Sequence, residues 1–173
     1  RGGALPLALD RLEALCDRAE FLVGHNIRHH DLPHLVANRA ALVRLGAALV
    51  DTLWLNPLAF PRNPYHQLVK HYHDGRLQTG QVNDPEADAR LTLELLGDQI
   101  AAFTRLGAEA PDMLAAFHYL TSRGDGAAGF DALFRSLRGP VPDEATAHAA
   151  LRRLLGDRTC RNSLESALQS LSD

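Results

Sequence analysis

Apolar positions recur along this chain mostly at helical spacing. Leu9, Leu12 and Leu15 share one helix face, and the same period predicts helices over about 7–18, 32–44, 64–73, 84–105, 111–121, 127–138, 143–156 and 161–171. Two apolar runs break the period, near 20–24 and 48–54, and read as buried strands. Turn signals fall at the joints: Asn63-Pro64, Asp74-Gly75, Asn83-Asp84-Pro85, Gly139-Pro140 and Pro142-Asp143-Glu144, with Asp143 placed to cap a helix. Leu114, Phe117 and Leu120, then Leu133, Phe134 and Leu137, form stripes suited to helix packing. Strands alternating with helices, then helices alone, predict an α/β and predominantly helical region over 1–106, followed by an all-α extension over 107–173. The boundary is expected at Leu106-Gly107.

Composition narrows the class. The 173 residues are 46% hydrophobic and 23% charged, ordinary for a packed protein. The apolar runs are too short and interrupted to span a bilayer, and no basic-then-apolar leader opens the sequence, so a cytoplasmic protein without membrane contact is expected. Cys16 and Cys160 lie far apart without metal-ligand spacing, which suits reduced thiols. A net charge of −3 and a pI near 6.3 give no global basic footprint for gripping duplex DNA. Arg28, Arg62, Lys70 and Arg76 could form a phosphate-facing rim, or be scattered surface cations.

The densest chemistry lies in Val23-Gly24-His25-Asn26-Ile27-Arg28-His29-His30-Asp31-Leu32-Pro33-His34. An apolar strand runs into a Gly-His-Asn turn, and an acid then stands at the mouth of a helix that Pro33 can open in its first turn. Such a layout can hold a carboxylate on a rigid element beside a backbone turn, as a metal ligand must be held. Asp31 could equally be a helix N-cap. Further on, Asn83-Asp84-Pro85-Glu86-Ala87-Asp88-Ala89 opens a long helix with acids in its first turns, where they also suit the helix dipole.

These two segments resemble the second and third motifs of the DnaQ-like 3′-to-5′ exonucleases, an RNase H-like fold. Asp31 follows Asn26 by five, as the family aspartate does, and Asp88 falls on the family's later metal-binding aspartate. The general-base position holds Asn83, whose amide cannot take a proton from water. Between them, Asp51-Thr52 and Tyr65-His66-Gln67-Leu68 resemble an Asp-Thr strand and a His-x-Leu helix. The wording Leu58-Ala59-Phe60-Pro61-Arg62-Asn63-Pro64-Tyr65-His66 through Val69-Lys70-His71-Tyr72 is similar to the exonuclease-like region of long bacterial RecQ-family ATP-dependent DNA helicases. The resemblance covers roughly residues 8–104.

The resemblance implies Mg2+ or Mn2+ held by Asp31 and Asp88, and a single-stranded DNA 3′ end near His25, Asn26, Arg28, Tyr65 and His66. It also implies a helicase motor in the same polypeptide, in a DNA-repair setting. The family uses four acids, the first two as Asp-x-Glu on a strand. No such strand precedes Asp31 here, so the chain is expected to be a piece that begins after the first motif. A partial RNase H-like fold follows, inactive alone because two acids do not make a two-metal site. Two functions stay open: part of a metal-dependent exonuclease domain, or a non-catalytic exonuclease-fold module that holds single-stranded DNA or supports the helicase. The motor lies elsewhere, because no Gly-x-x-x-x-Gly-Lys-Ser/Thr phosphate loop occurs.

Three expectations concern geometry. Asp31 and Asp88 should approach across one cleft, on the order of 4–8 Å apart. The strands near 20–24 and 48–54 should leave an apolar edge at Val50, Leu53 and Leu55, covered by self-association or loose polypeptide. Trp54, Phe60, Tyr65 and Tyr72 read as core or groove wall, with the option that an aromatic near the site stacks a terminal base. Seven of the nine histidines lie between 25 and 73. His30 and His34 mimic a two-histidine zinc pattern, but Pro33 between them limits the helix to its first turn and leaves His30 outside.

Overall fold

The computed structural model describes residues 5–64, 66, 68 and 84–172, together with the backbone of 72–73 and 76–77. The chain divides into two compact units, Arg1–Gln99 and Ile100–Asp173. The division falls inside a long helix rather than at Leu106-Gly107.

In the first unit, α1 (Leu5–Cys16) buries Leu9 and Cys16, two turns apart on one face. Strand β1 (Leu22–Gly24) follows, then α2 (Asp31–Asn38), a 3-10 segment (Ala40–Ala47) and β2 (Leu49–Asp51). Leu9, Cys16, Leu42 and Leu45 form a core on which Leu12, Leu22, Leu32 and Leu35 pack. Arg39, at the end of α2, bridges Asp10 at 2.6 Å and Glu13 at 2.8 Å, tying α1 to that turn. β1 and β2 pair in parallel, with Leu22, Val23 and Gly24 opposite Leu49, Val50 and Asp51. A parallel pair needs a long crossover, here the stretch carrying α2 and the 3-10 segment.

The apolar run at 48–54 is divided between two elements. The strand ends at Asp51, and α3 (Thr52–Ala59) begins at the next residue, because the Asp51 side chain caps it by accepting from Leu53 N. Pro57 removes a donor from α3 and helps keep it short. Of the apolar side chains expected at an open edge, Val50 and Leu55 are buried within this unit and Leu53 is half-buried, while among the described residues β1 and β2 each pair on one side only. The helix expected over 32–44 breaks after Asn38, where Arg39 turns extended. The end of the one expected over 64–73 is also different: β3 (Tyr72–His73) pairs antiparallel with β4 (Arg76–Leu77).

The helix α4 (Pro85–Glu109) opens at Asp84, whose carboxylate accepts from Glu86 N and Ala87 N. In the second unit, α5 (Pro111–Thr121), α6 (Ala128–Arg138), α7 (Glu144–Leu155) and α8 (Arg161–Ser172) follow. Ala116, Leu151, Leu164 and Leu168 form one cluster, and Phe103 meets Phe134 with ring centroids 5.1 Å apart. Asp143 caps α7 as its position predicts, accepting from Thr146 N at 2.7 Å. The chain is thus predominantly helical with a small parallel sheet. No helix among the described residues is long and apolar enough to cross a membrane, and Cys16 and Cys160 are both free thiols.

Candidate functional site

The Gly24–Arg28 turn is held by one buried carboxylate. Asp51, fully buried, stands opposite Gly24 at the end of β2. Its Oδ1 accepts from Asn26 N at 2.8 Å and Leu53 N at 3.0 Å, and its Oδ2 accepts from Arg28 N at 3.2 Å. A buried carboxylate needs such donors to offset its lost hydration. One side chain therefore closes the turn and starts α3 together. Within the turn Asn26 takes a left-handed φ of 61°, which Asn tolerates better than most residues. Gly24 leaves no room for a side chain, since a Cβ there would lie 2.5 Å from Ile27 Cβ.

Thr52 extends this hub. Its hydroxyl donates to the Gly24 carbonyl at 3.3 Å and lies 2.9 Å from His25 Nδ1. Burial pushes the His25 pKa down, against the pull of the Asp51 carboxylate. From α4, the buried Gln99 donates through Nε2 to the Thr52 carbonyl at 2.8 Å and to Asn56 Oδ1 at 3.0 Å. Asn56 in turn donates to the His66 carbonyl at 3.3 Å. His25, Asn26, Arg28 and His66 are thereby joined through Asp51, Thr52 and Asn56.

The two candidate metal ligands sit differently. Asp31 is the first residue of α2 and exposed; the cap position belongs to His30, whose side chain makes no capping bond, so Asp31 is not the N-cap. It lines a hollow of about 250 Å³ with Leu5, Leu9, His34, Leu35 and Asn38. Asp88 is half-buried in the first turns of α4. It precedes Gln99 by three turns, about 16 Å along the helix at 1.5 Å per residue. The acids of α4 that line a hollow beside α3, of about 240 Å³, are Glu94 and Asp98. Among the described residues no three His, Cys, Asp or Glu side chains gather where a metal could be held. This donor set does not by itself fit a two-metal site. Asn83 and Tyr65 lie outside the described residues.

Sequence reasoning overlooked Asp51, Thr52 and Gln99 as site residues. The available signal was an acid inside an apolar run directly after a strand, where only a cap or a turn would tolerate it. Trp54, read as core or groove wall, is 47% exposed. It stacks on His29, with centroids 5.5 Å apart and planes at 27°, and the Arg28 guanidinium lies 5.9 Å from its ring centre. The shift from strand to helix at Thr52 is what turns it outward. No protein-family model, no curated protein and no solved structure matches the chain.

Proposed function

We propose that this chain is the exonuclease-like module of a RecQ-family DNA helicase, and that it holds the 3′ end of single-stranded DNA without hydrolysing it alone. The observation that carries this reading is the Asp51 hub. It fixes the Gly-His-Asn turn to a parallel strand pair and an adjoining helix, which supports the reading by presenting that turn in one held conformation. Preorganised turns of this kind bind at low entropic cost. Asp31 and Asp88 would contribute to a Mg2+ or Mn2+ site only with further acids, as in the full four-acid family pattern.

The test is fluorescence anisotropy with a labelled oligothymidylate, at low and moderate salt, with EDTA and with Mg2+, followed by gel analysis. Saturable binding that weakens with salt, with an intact oligonucleotide after incubation, is the expected result. Absence of binding would remove the DNA-holding function. Metal-dependent shortening abolished by Asp31→Ala would show that the chain is a complete nuclease.

A further inference from the structure

The one tryptophan of this sequence sits on the surface beside the hub, and its environment is built. Trp54 occupies the first turn of α3, whose start is fixed by Asp51. Its neighbours Arg28 and His29 end and follow the turn that the same carboxylate closes, and Arg28 is positioned through its own backbone N–H. Both sides of the ring–cation contact therefore hang from a single buried group. Exposing an indole to water is unfavourable, and an arrangement that keeps it exposed beside an imidazole and a guanidinium is suited to another flat π-system carrying negative charge. A nucleic-acid base on its phosphate chain has both properties.

We infer that Trp54, with His29 and Arg28, is a stacking platform for an unpaired base of single-stranded nucleic acid. This rests on the DNA-holding reading above and adds the residue that would contact a base. Stacking would supply affinity that a chain of net charge −3 cannot draw from a broad basic surface. Sequence preference should be slight, because every base offers a π-face.

The sole tryptophan provides its own probe. The 173-residue chain is titrated with oligothymidylate and with an abasic oligonucleotide of equal length, reading Trp54 emission and the anisotropy of labelled strands together. Saturable quenching by oligothymidylate, with the same midpoint as the anisotropy, is expected. The Trp54→Ala variant should bind oligothymidylate about tenfold more weakly or worse, in line with the loss of one stacked base. The abasic strand should bind wild type no better than oligothymidylate binds that variant. Trp54→Phe, which keeps an aromatic face, should fall between, and far-UV circular dichroism checks that both variants fold. Tight oligothymidylate binding with unchanged emission and no loss in Trp54→Ala would overturn the platform while leaving the DNA-holding reading intact. No anisotropy change with any strand would remove both.

Discussion

At the scale of single residues, this molecule concentrates its constraints on a few buried polar groups. Asp51→Ala deletes a helix cap and leaves the backbone donors of Asn26 and Arg28 facing a void, so a loss of about 2–4 kcal/mol is expected from urea unfolding. Asp51→Asn should cost less, because one oxygen remains to accept. Gly24→Ala should also destabilise, by roughly 1–3 kcal/mol, since its Cβ would collide with Ile27. His118 in the second unit gives a pH dependence with a definite sign. It is fully buried, donates from Nε2 to Asp131 at 2.9 Å and accepts at Nδ1 from Arg138 at 2.9 Å. Burial first, opposed by the Asp131 bond and reinforced by the Arg138 and Arg135 charges, pushes its pKa below 6.5. The folded state therefore favours neutral His118. Its contribution to stability is complete above pH 6.5 and declines as the pH falls below that value, while the unfolded chain takes up the proton. An NMR titration placing His118 at or above 6.5 would contradict this.

At the scale of elements, caps and acids that look alike in sequence separate by geometry. Asp143→Ala should lower the melting temperature measurably, because its carboxylate accepts from Thr146 N at the start of α7. Asp31→Asn should change stability by less than about 0.5 kcal/mol, since Asp31 is exposed and makes no cap. Thermal melts of the two variants side by side check the pair. The same contrast explains what the sequence could reveal. The helices of 111–121, 127–138, 143–156 and 161–171 were legible because their apolar stripes and turn residues agree locally. The end of β2 was not, because Val50-Asp51-Thr52-Leu53-Trp54-Leu55 reads as one apolar run. Only the tertiary position of Asp51, opposite Gly24, shows that a cap interrupts it. The candidate site was legible in part for the same reason. His25, Asn26 and Arg28 announced themselves by their turn, whereas Asp51 offered only an acid inside an apolar run, and Gln99, which braces Thr52 and Asn56, carries no local signature.

At the scale of the whole molecule, each unit closes a core of its own. In Ile100–Asp173 the buried Phe103 and Phe134 stack tilted, the His118 ring lies over Phe134, and Ala116, Leu151, Leu164 and Leu168 pack together. Arg153 pairs with Asp112 at 2.6 Å, and Arg152 with Glu165 at 2.7 Å, but water and salt screen such exposed bridges and they add little to stability. Stability must come from the apolar interior, which for a helical unit of this size suffices only marginally. The expected outcome for a fragment spanning Ile100–Asp173 is therefore a helical circular-dichroism spectrum with a cooperative melt at modest temperature. Phe134→Ala should abolish that cooperativity, since truncating a fully buried Phe costs about 3–5 kcal/mol, close to all that such a unit has. A fragment with only a broad, non-cooperative loss of signal would mean that the core of the second unit depends on residues before Ile100.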